Sequence, residues 1–432
     1  MKESGIDWIG QIPEEWEVAK VNHIFEEHKQ KNRGNKEKNL LSLSYGRIIR
    51  KSIDSSFGLL PESFDTYNII QRGDIVLRLT DLQNDKRSLR VGLARENGII
   101  TSAYLTLRLK NLESNDSYMY YLLHTYDICK VFYNFGGGVR QGGTWSDIYK
   151  MELLIPPCNE QQKIADFLDK KTAQLDKVKA LLEEQIQKLK DYRASLIYET
   201  VTKGLDKNVP MKDSGIDWIG QVPQGWEMVK FKYFFNTSKG LSITKECLVD
   251  EGIPVINYGQ IHSSMSKQVQ SCDVSLPFIP DYYLSKKGAN LNQGDFVFAD
   301  TSEDLEGAGN FSTRIDSTGP LLAGYHTIIA RLNNYDEYDF RYFMHLFDSL
   351  AIRKQIQNKV SGIKVYSITQ GILNSIFVII PPKSEQQKIA NLLDEKTAQI
   401  DKLVQIKNQQ IENINKQRQT LIYDYVTGKR RV

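Results

Sequence analysis

The sequence predicts an α+β protein built as a pseudo-twofold tandem duplication, with two globular domains separated by two long antiparallel, coiled-coil-like helices. Three observations predict it. A short box is written twice, a long charged block is written twice, and the segments between them keep only the order of their elements.

The box MKESGIDWIGQIPEEWE, Met1 to Glu17, aligns without a gap with MKDSGIDWIGQVPQGWE, Met211 to Glu227. The copies differ only at Glu3/Asp213, Ile12/Val222, Glu14/Gln224 and Glu15/Gly225. One such apolar, aromatic segment with a proline would mean little more than a covered core edge. Two copies so far apart mark duplicated domains, because solenoid repeats have periods of roughly 20 to 50 residues.

The segments after each box have diverged, yet SLSYGRI (Ser42 to Ile48) parallels VINYGQI (Val255 to Ile261), and RGDIVLRLTD parallels QGDFVFADTS. Each segment then carries an aromatic-rich helical stretch, YMYYLLHTYDICKVFY or YDFRYFMHLFDSLAIRKQI. A loop with glycine and a basic residue follows, GGGVRQGGTW or KVSGIKVYSIT, and then an apolar strand ending in Pro-Pro. Short strand runs mixed with one amphipathic helix read as an α+β domain.

The charged blocks match as EQQKIADFLDKKTAQLDKV from Glu160 and EQQKIANLLDEKTAQIDKL from Glu385, and run on to LIYETVTKG and LIYDYVTGK. No proline or glycine interrupts 158–198, and Leu175, Leu182, Leu189 and Leu196 recur every seven residues, with Val178 three after the first. Ile400, Leu403, Ile414 and Leu421 serve the second copy, whose seam is more polar because Lys407 replaces a leucine. These are the expected pairing and partner-docking positions of two heptad helices, each about 60 Å long at 1.5 Å per residue. The first helix ends where the second domain begins, and that domain feeds the second helix, so the two must run antiparallel. The expected segments are 1–157 (box and first domain), 158–204 (first helix), 205–382 (box and second domain) and 383–432 (second helix and tail).

With 432 residues, 41% hydrophobic and 25% charged, the composition is that of a soluble globular chain with room for two or more domains. No apolar run approaches the roughly 18 residues that span a bilayer, and no signal pattern opens the chain, so a cytoplasmic location is expected. Cys129, Cys158, Cys247 and Cys272 form no CxxC pair, which argues against a zinc site or a disulfide framework. They are expected to be reduced, partly buried thiols. A net charge of +3 does not point to a polyanion, so local clustering has to carry that case.

Two similar heads on a rigid spacer suit a target with two spaced sites, and equivalent major-groove faces of duplex DNA recur about every 34 to 36 Å. Basic runs HKQKNRGNKEK, YGRIIRK and DKRSLR fall in the first head's loops. They make Tyr45, Arg47, Arg50, Lys51, Lys86, Arg87 and Arg90 candidate DNA contacts, joined by Arg78 in RGDIVLRLTD and by Arg140, Gln141 and Trp145 on the glycine-flanked loop. In the second head the candidates are Tyr258, Gln260, His262, Lys267, Arg314, Lys364, Tyr366 and Thr369. Arginine and lysine suit phosphates and guanine, and amides suit adenine.

At these residues a resemblance becomes specific. The DWIGxxPxxWE box, the EQQKIAxxLDxKTAQxDK helix and the LIYExVTxG terminus, each present twice, are similar to the specificity subunit of type I restriction-modification systems. The resemblance implies that each variable segment is a target recognition domain for one half of a bipartite DNA site. It implies that the helices set the spacing and dock two modification subunits, that a restriction subunit joins the complex, and that S-adenosylmethionine belongs to the modification subunit.

Catalytic motifs are missing from the chain itself. An amino-methyltransferase needs Asn or Asp before Pro-Pro and an aromatic residue after it, whereas this chain has only IPPC and IPPK. No GxxxxGK[ST] phosphate loop occurs, and the six histidines show no metal-ligand spacing. His124 and His345 fall in the aromatic helices as packing residues. The alternatives to a non-catalytic recognition subunit are a stand-alone methyltransferase or nuclease with an unfamiliar motif, and a scaffold whose heads bind proteins.

Overall fold

The computed structural model describes residues 1–432 except 52–62, 83–84, 86–88, 112, 136–141, 264–266 and 363–364. The chain divides into two units, Met1–Glu183 with Lys407–Val432, and Glu184–Ile406. Each unit therefore holds one globular domain, the first half of the long helix that follows it, and the second half of the other long helix.

In the first unit an antiparallel sheet is ordered Phe25–Glu27, Leu105–Leu109, Ile75–Leu77, Val91–Leu93. Against it lies the aromatic helix Asp116–Ile128, started by Asn115, whose side chain accepts from the Tyr118 amide. The expected amphipathic stripe is absent from this helix, because every residue from Ser117 to Asp127 is buried. Its tyrosines tolerate that burial by spending their hydroxyls on backbone and carboxylate acceptors. Tyr126 donates to the Glu152 carbonyl at 2.7 Å, Tyr120 to the Gly46 carbonyl at 3.2 Å and Tyr121 to Asp169 at 2.7 Å.

Two ionisable groups on that helix have opposite pH responses. Burial pushes His124 down to about 4 and Asp127 up to about 6. For His124 the unfolded chain takes up the proton first, so stability falls as pH drops from 6.5 toward 4. For Asp127 the folded chain is protonated first, so stability is gained as pH drops from about 6 toward 3.8; each effect is about 3 kcal/mol. The unfolding free energy of the wild type minus that of Asp127→Asn should therefore rise by about 2 kcal/mol between pH 6, where the folded group is already half protonated, and pH 4. Denaturant titrations across that range check it, and a constant difference would refute it.

In the second unit five strands are ordered Phe235–Lys239, Thr327–Leu332, Phe296–Ala299, Phe311–Arg314, Gln268–Val269, with only the last pair parallel. A phenylalanine core from this sheet and the helix Phe340–Asp348 includes Phe231, Phe235, Phe296, Phe298, Phe311 and Phe347. RGD and QGD do form equivalent turns: buried Asp74 binds Arg108 at 2.7 and 2.8 Å, and buried Asp295 binds Arg331 at 3.0 Å. The YGR and YGQ segments do not correspond. Tyr45-Gly46 forms the tip of the hairpin Leu41–Ser44/Arg47–Arg50, whereas Tyr258 opens the short helix Tyr258–Ser263.

The doubled box is explained by doubled packing. In the first unit Glu17–Lys20 pairs with Glu152–Ile155, just ahead of the first long helix, and fully buried Trp16 donates to Glu160 at 3.0 Å. In the second, Glu227–Lys230 pairs with Phe377–Ile380 and Trp226 donates to Glu385 at 2.9 Å. Glycines at positive φ close each arrangement against the end of the other helix. A Cβ on Gly428 (φ 71°) would lie 3.3 Å from the Trp16 ring, and one on Gly204 (φ 75°) 3.0 Å from the Trp226 ring.

The long helices run Cys158–Lys203 and Lys383–Val426. They are antiparallel: in the first unit Phe167 meets Tyr425 at 4.6 Å, and in the second Arg193 meets Asp401 at 3.4 Å. Leu175, Leu182, Leu189, Leu196, Ile414 and Leu421 are partly buried, and Ile400 is buried. Val178 and Leu403 correct the expectation, being 47% and 46% exposed. The seam continues four residues on, not three, through Lys179, Ile186 and Arg193 in one helix and Val404, Ile411 and Arg418 in the other. A heptad alternates three and four, so an i+3 companion from the wrong starting point lands about 100° off the seam.

Three of the four thiols, Cys129, Cys158 and Cys272, are exposed, contrary to expectation, and all four are free. Among the described residues no helix is long and apolar enough to cross a membrane, and no His/Cys/Asp/Glu group could hold a metal ion.

Candidate nucleic-acid interface

The first head presents its candidates unevenly. Tyr45 is 86% exposed at a two-residue turn and has φ 46°, a left-handed conformation that side-chain-bearing residues rarely adopt. An aromatic ring held in solvent at a strained position has no packing reason to be there. Arg50 forks onto Glu96, Lys51 is exposed, and Arg78 reaches Asp85 at 3.3 Å. Trp145, partly buried, opens the helix Trp145–Ile148 behind a Thr144/Asp147 capping box. Lys86, Arg87, Arg140 and Gln141 lie outside the described residues, as does Lys364.

Two arginines are turned inward, against expectation. Arg90 is fully buried, and its guanidinium donates to the carbonyls of Arg78 (3.1 Å), Thr80 (2.7 Å) and Asp81 (3.3 Å) and to the Tyr133 hydroxyl (3.1 Å). Arg314, 3% exposed, donates to the carbonyls of Thr318 (3.1 Å), Gly319 (2.7 Å) and Asp316 (2.9 Å). Five fixed donors suit a guanidinium to satisfying a loop's carbonyls, and an arginine so used has none left for a phosphate. Arg47 is diverted too, by an ion pair with Asp176 of the first long helix at 2.5 Å.

The second head has an open cleft of about 870 Å³ that takes two of its eight candidates. Tyr258 and His262 line it, and the strand Tyr366–Ser367 pairs with Thr301–Ser302 at its edge. His262 Nε2 lies 2.7 Å from the Thr301 carbonyl, an acceptor, so Nε2 carries the proton and Nδ1 accepts from Asn310 at 3.1 Å. Asn310 in turn accepts from Arg353 at 3.0 Å and from Lys267 at 3.5 Å. Burial pushes the ammonium of Lys267 down, and that side chain lies over the Phe311 ring instead of in solvent. Gln260 accepts from the Asn257 amide and Thr369 caps the helix Gln370–Ser375, so both are at least partly structural.

Sequence reasoning missed His326, Asn310, Arg353 and the carboxylates Glu303 and Asp304, which all line this cleft. His326 is the most informative: it stands at φ 55°, bonds Asp300 at 3.1 Å and packs edge-on against Tyr258 at 5.4 Å. These residues come from separate segments with no shared spacing, so no local signal marks them. The cleft combines aromatic faces, fixed donors and fixed acceptors, which suits hydrogen-bond reading of base edges.

Equivalent frames carrying different polar surfaces define a two-headed recognition protein. The chain belongs to the type I restriction modification DNA specificity domain family, whose model matches it twice, over residues 13–190 and 223–416. It is similar to the type I restriction enzyme MjaVIII specificity subunit of Methanocaldococcus jannaschii, 23% identical across 98% of this chain and 94% of that one. It is also similar to the putative type I restriction enzyme MjaX specificity subunit of the same organism, at 24% identity across 98% and 96%. A chain from a solved structure concerning complex assembly and conformational transition of the type I R-M system shares the fold, with a TM-score of 0.67 and 15% identity over 96% of this chain and 98% of that one. The protein is accordingly a DNA specificity subunit and not a catalytic one.

Proposed function

We propose that each head reads one half of a bipartite duplex site and that the paired helices hold two modification subunits, with restriction subunits completing the complex in the cytoplasm. The observation that supports this best is the double match of one DNA specificity domain to two heads whose frames agree and whose surfaces do not. In the first head the reading side chains are Tyr45, Arg50, Lys51, Arg78 and Trp145; in the second they are Tyr258, His262, His326 and Tyr366, with the acidic rim of the cleft accepting from cytosine amino groups. S-adenosylmethionine is held by the modification subunit. Docking of two identical partners is supported by an apolar pair repeated at equivalent positions facing solvent, Val178 with Leu181 on the first helix and Leu403 with Ile406 on the second, all 46–48% exposed.

Exchanging residues 18–155 for the matching segment of a relative tests the reading. The modified bases mapped across a host genome should then show one half-site changed and the other retained, because each domain has its own core. A change in both half-sites, or a site that is not bipartite, would refute it.

A further inference from the structure

One ion pair is written twice on the long helices. Arg418 meets Asp176 at 3.5 Å in the first unit, and Arg193 meets Asp401 at 3.4 Å in the second. Arg193 and Arg418 occupy equivalent places in the repeated blocks, as do Asp176 and Asp401. Each pair therefore bridges the two antiparallel helices beside one head.

Each head adds one charged side chain to its pair, and the two additions have opposite sign. The first head brings Arg47, which binds the aspartate of the pair (Asp176) at 2.5 Å. The second brings Asp348, which binds the arginine of the pair (Arg193) at 2.8 Å. Asp348 also faces Lys267 and Arg353, and although burial disfavours its charge, Lys267 and Arg193 hold its carboxyl below the usual range. A further anchor lies two turns toward each helix start. Asp169 takes the Tyr121 hydroxyl (2.7 Å) and Arg95 (3.3 Å); Asp394, its equivalent, takes His345 (2.7 Å) and Arg341 (3.2 Å). Seven residues separate the anchors, about 10 Å along the helix. Two anchors at that separation define an angle, where one would only define a point.

We propose that the repeated Arg–Asp pair is a socket that sets the angle of each head on the helices and accepts a plug of either sign, so that Arg47 and Asp348 are positioning residues for the gap at which the two half-sites are read. The inference rests on the bipartite reading above. It also accounts for how different head surfaces can be seated on one repeated frame: a head needs only one well-placed charge, positive for the aspartate or negative for the arginine.

The test uses the complex with its modification subunits and a DNA pool in which both half-sites and the gap between them vary. In Arg47→Gln, modification at gaps one base pair from the preferred length should rise about threefold to fivefold relative to the preferred gap, the change expected for loss of one partly exposed ion pair, and in Arg193→Gln, which loses two pairs, by at least as much. Base preferences in both half-sites should stay as in the wild type. Arg47→Lys should restore the gap preference, since one contact suffices there; Arg193→Lys should restore it only in part, because Arg193 serves two carboxylates. The readout is a ratio within one sample, so a general loss of folded protein does not move it, and Arg47, 55% exposed, can be replaced without opening a core. An unchanged gap profile in both glutamine variants overturns the proposal. So does an altered first half-site in Arg47→Gln, which would make Arg47 a DNA contact. A wild-type pool without a bipartite site would instead overturn the reading on which the proposal rests.

Discussion

Trp226→Ala should lower the stability of the second unit by about 3–5 kcal/mol, the range for truncating a buried large aromatic side chain. Trp226 is 2% exposed and sits where four segments meet: the box itself, the end of the first long helix at Gly204, the start of the second at Glu385, and the head's core. Its removal opens a cavity and also leaves Glu385 without its indole donor, and that corner cannot collapse easily because Gly204 is held at φ 75°. Trp16→Ala should act alike on the first unit, where the ring is fully buried and bonded to Glu160. Denaturant unfolding followed by hydrogen exchange assigns each loss to its own unit. A loss below about 1 kcal/mol for Trp226→Ala would show that the box is a cover and not a joint.

Inserting seven residues into both long helices, after Leu182 and after Lys407, should widen the gap between half-sites by up to about three base pairs and leave both half-sites unchanged. The two points are equivalent in the repeated blocks and lie next to the boundaries of the compact units, so neither head loses its own contacts. Seven residues add about 10 Å at 1.5 Å per residue and return the seam almost to phase, with a drift of only about 20°. Inserting two residues rotates the seam by about 200°, which puts the seam after each insertion out of line with the seam before it and should abolish modification. Mapping modified positions in cells that carry each variant with its partner subunits decides the matter. Active enzyme that keeps the original gap after the seven-residue insertion would mean that the helices do not set it.

The frame was legible in the sequence because its residues are repeated and periodic. The box, the two helices, their antiparallel course and the duplicated heads all follow from local pattern and connectivity, and the family's two matches cover both heads and most of each helix. Even there, phase was ambiguous. Val178 and Leu403 fit an apolar spacing, yet Lys179 and Val404 hold the seam, because a heptad counted from one leucine column does not say whether the next seam residue is three or four away.

The interface was decided by tertiary structure. Arg90 and Arg314 look like phosphate ligands in a basic loop, but a buried loop has carbonyls to satisfy and a guanidinium satisfies several at once. Asp127 and Asp348 end equivalent aromatic helices and carry opposite shifts: burial raises Asp127 despite an amide donor from Arg90, whereas for Asp348 burial is outweighed by the cations around it. His326, Asn310 and Arg353 reach one cleft from a turn, a loop and a helix. Composition and periodicity record which faces are apolar. Only the packed chain determines which polar groups are consumed inside it, as Arg90 and Arg314 are, and which, like Tyr45 and His326, reach an open face.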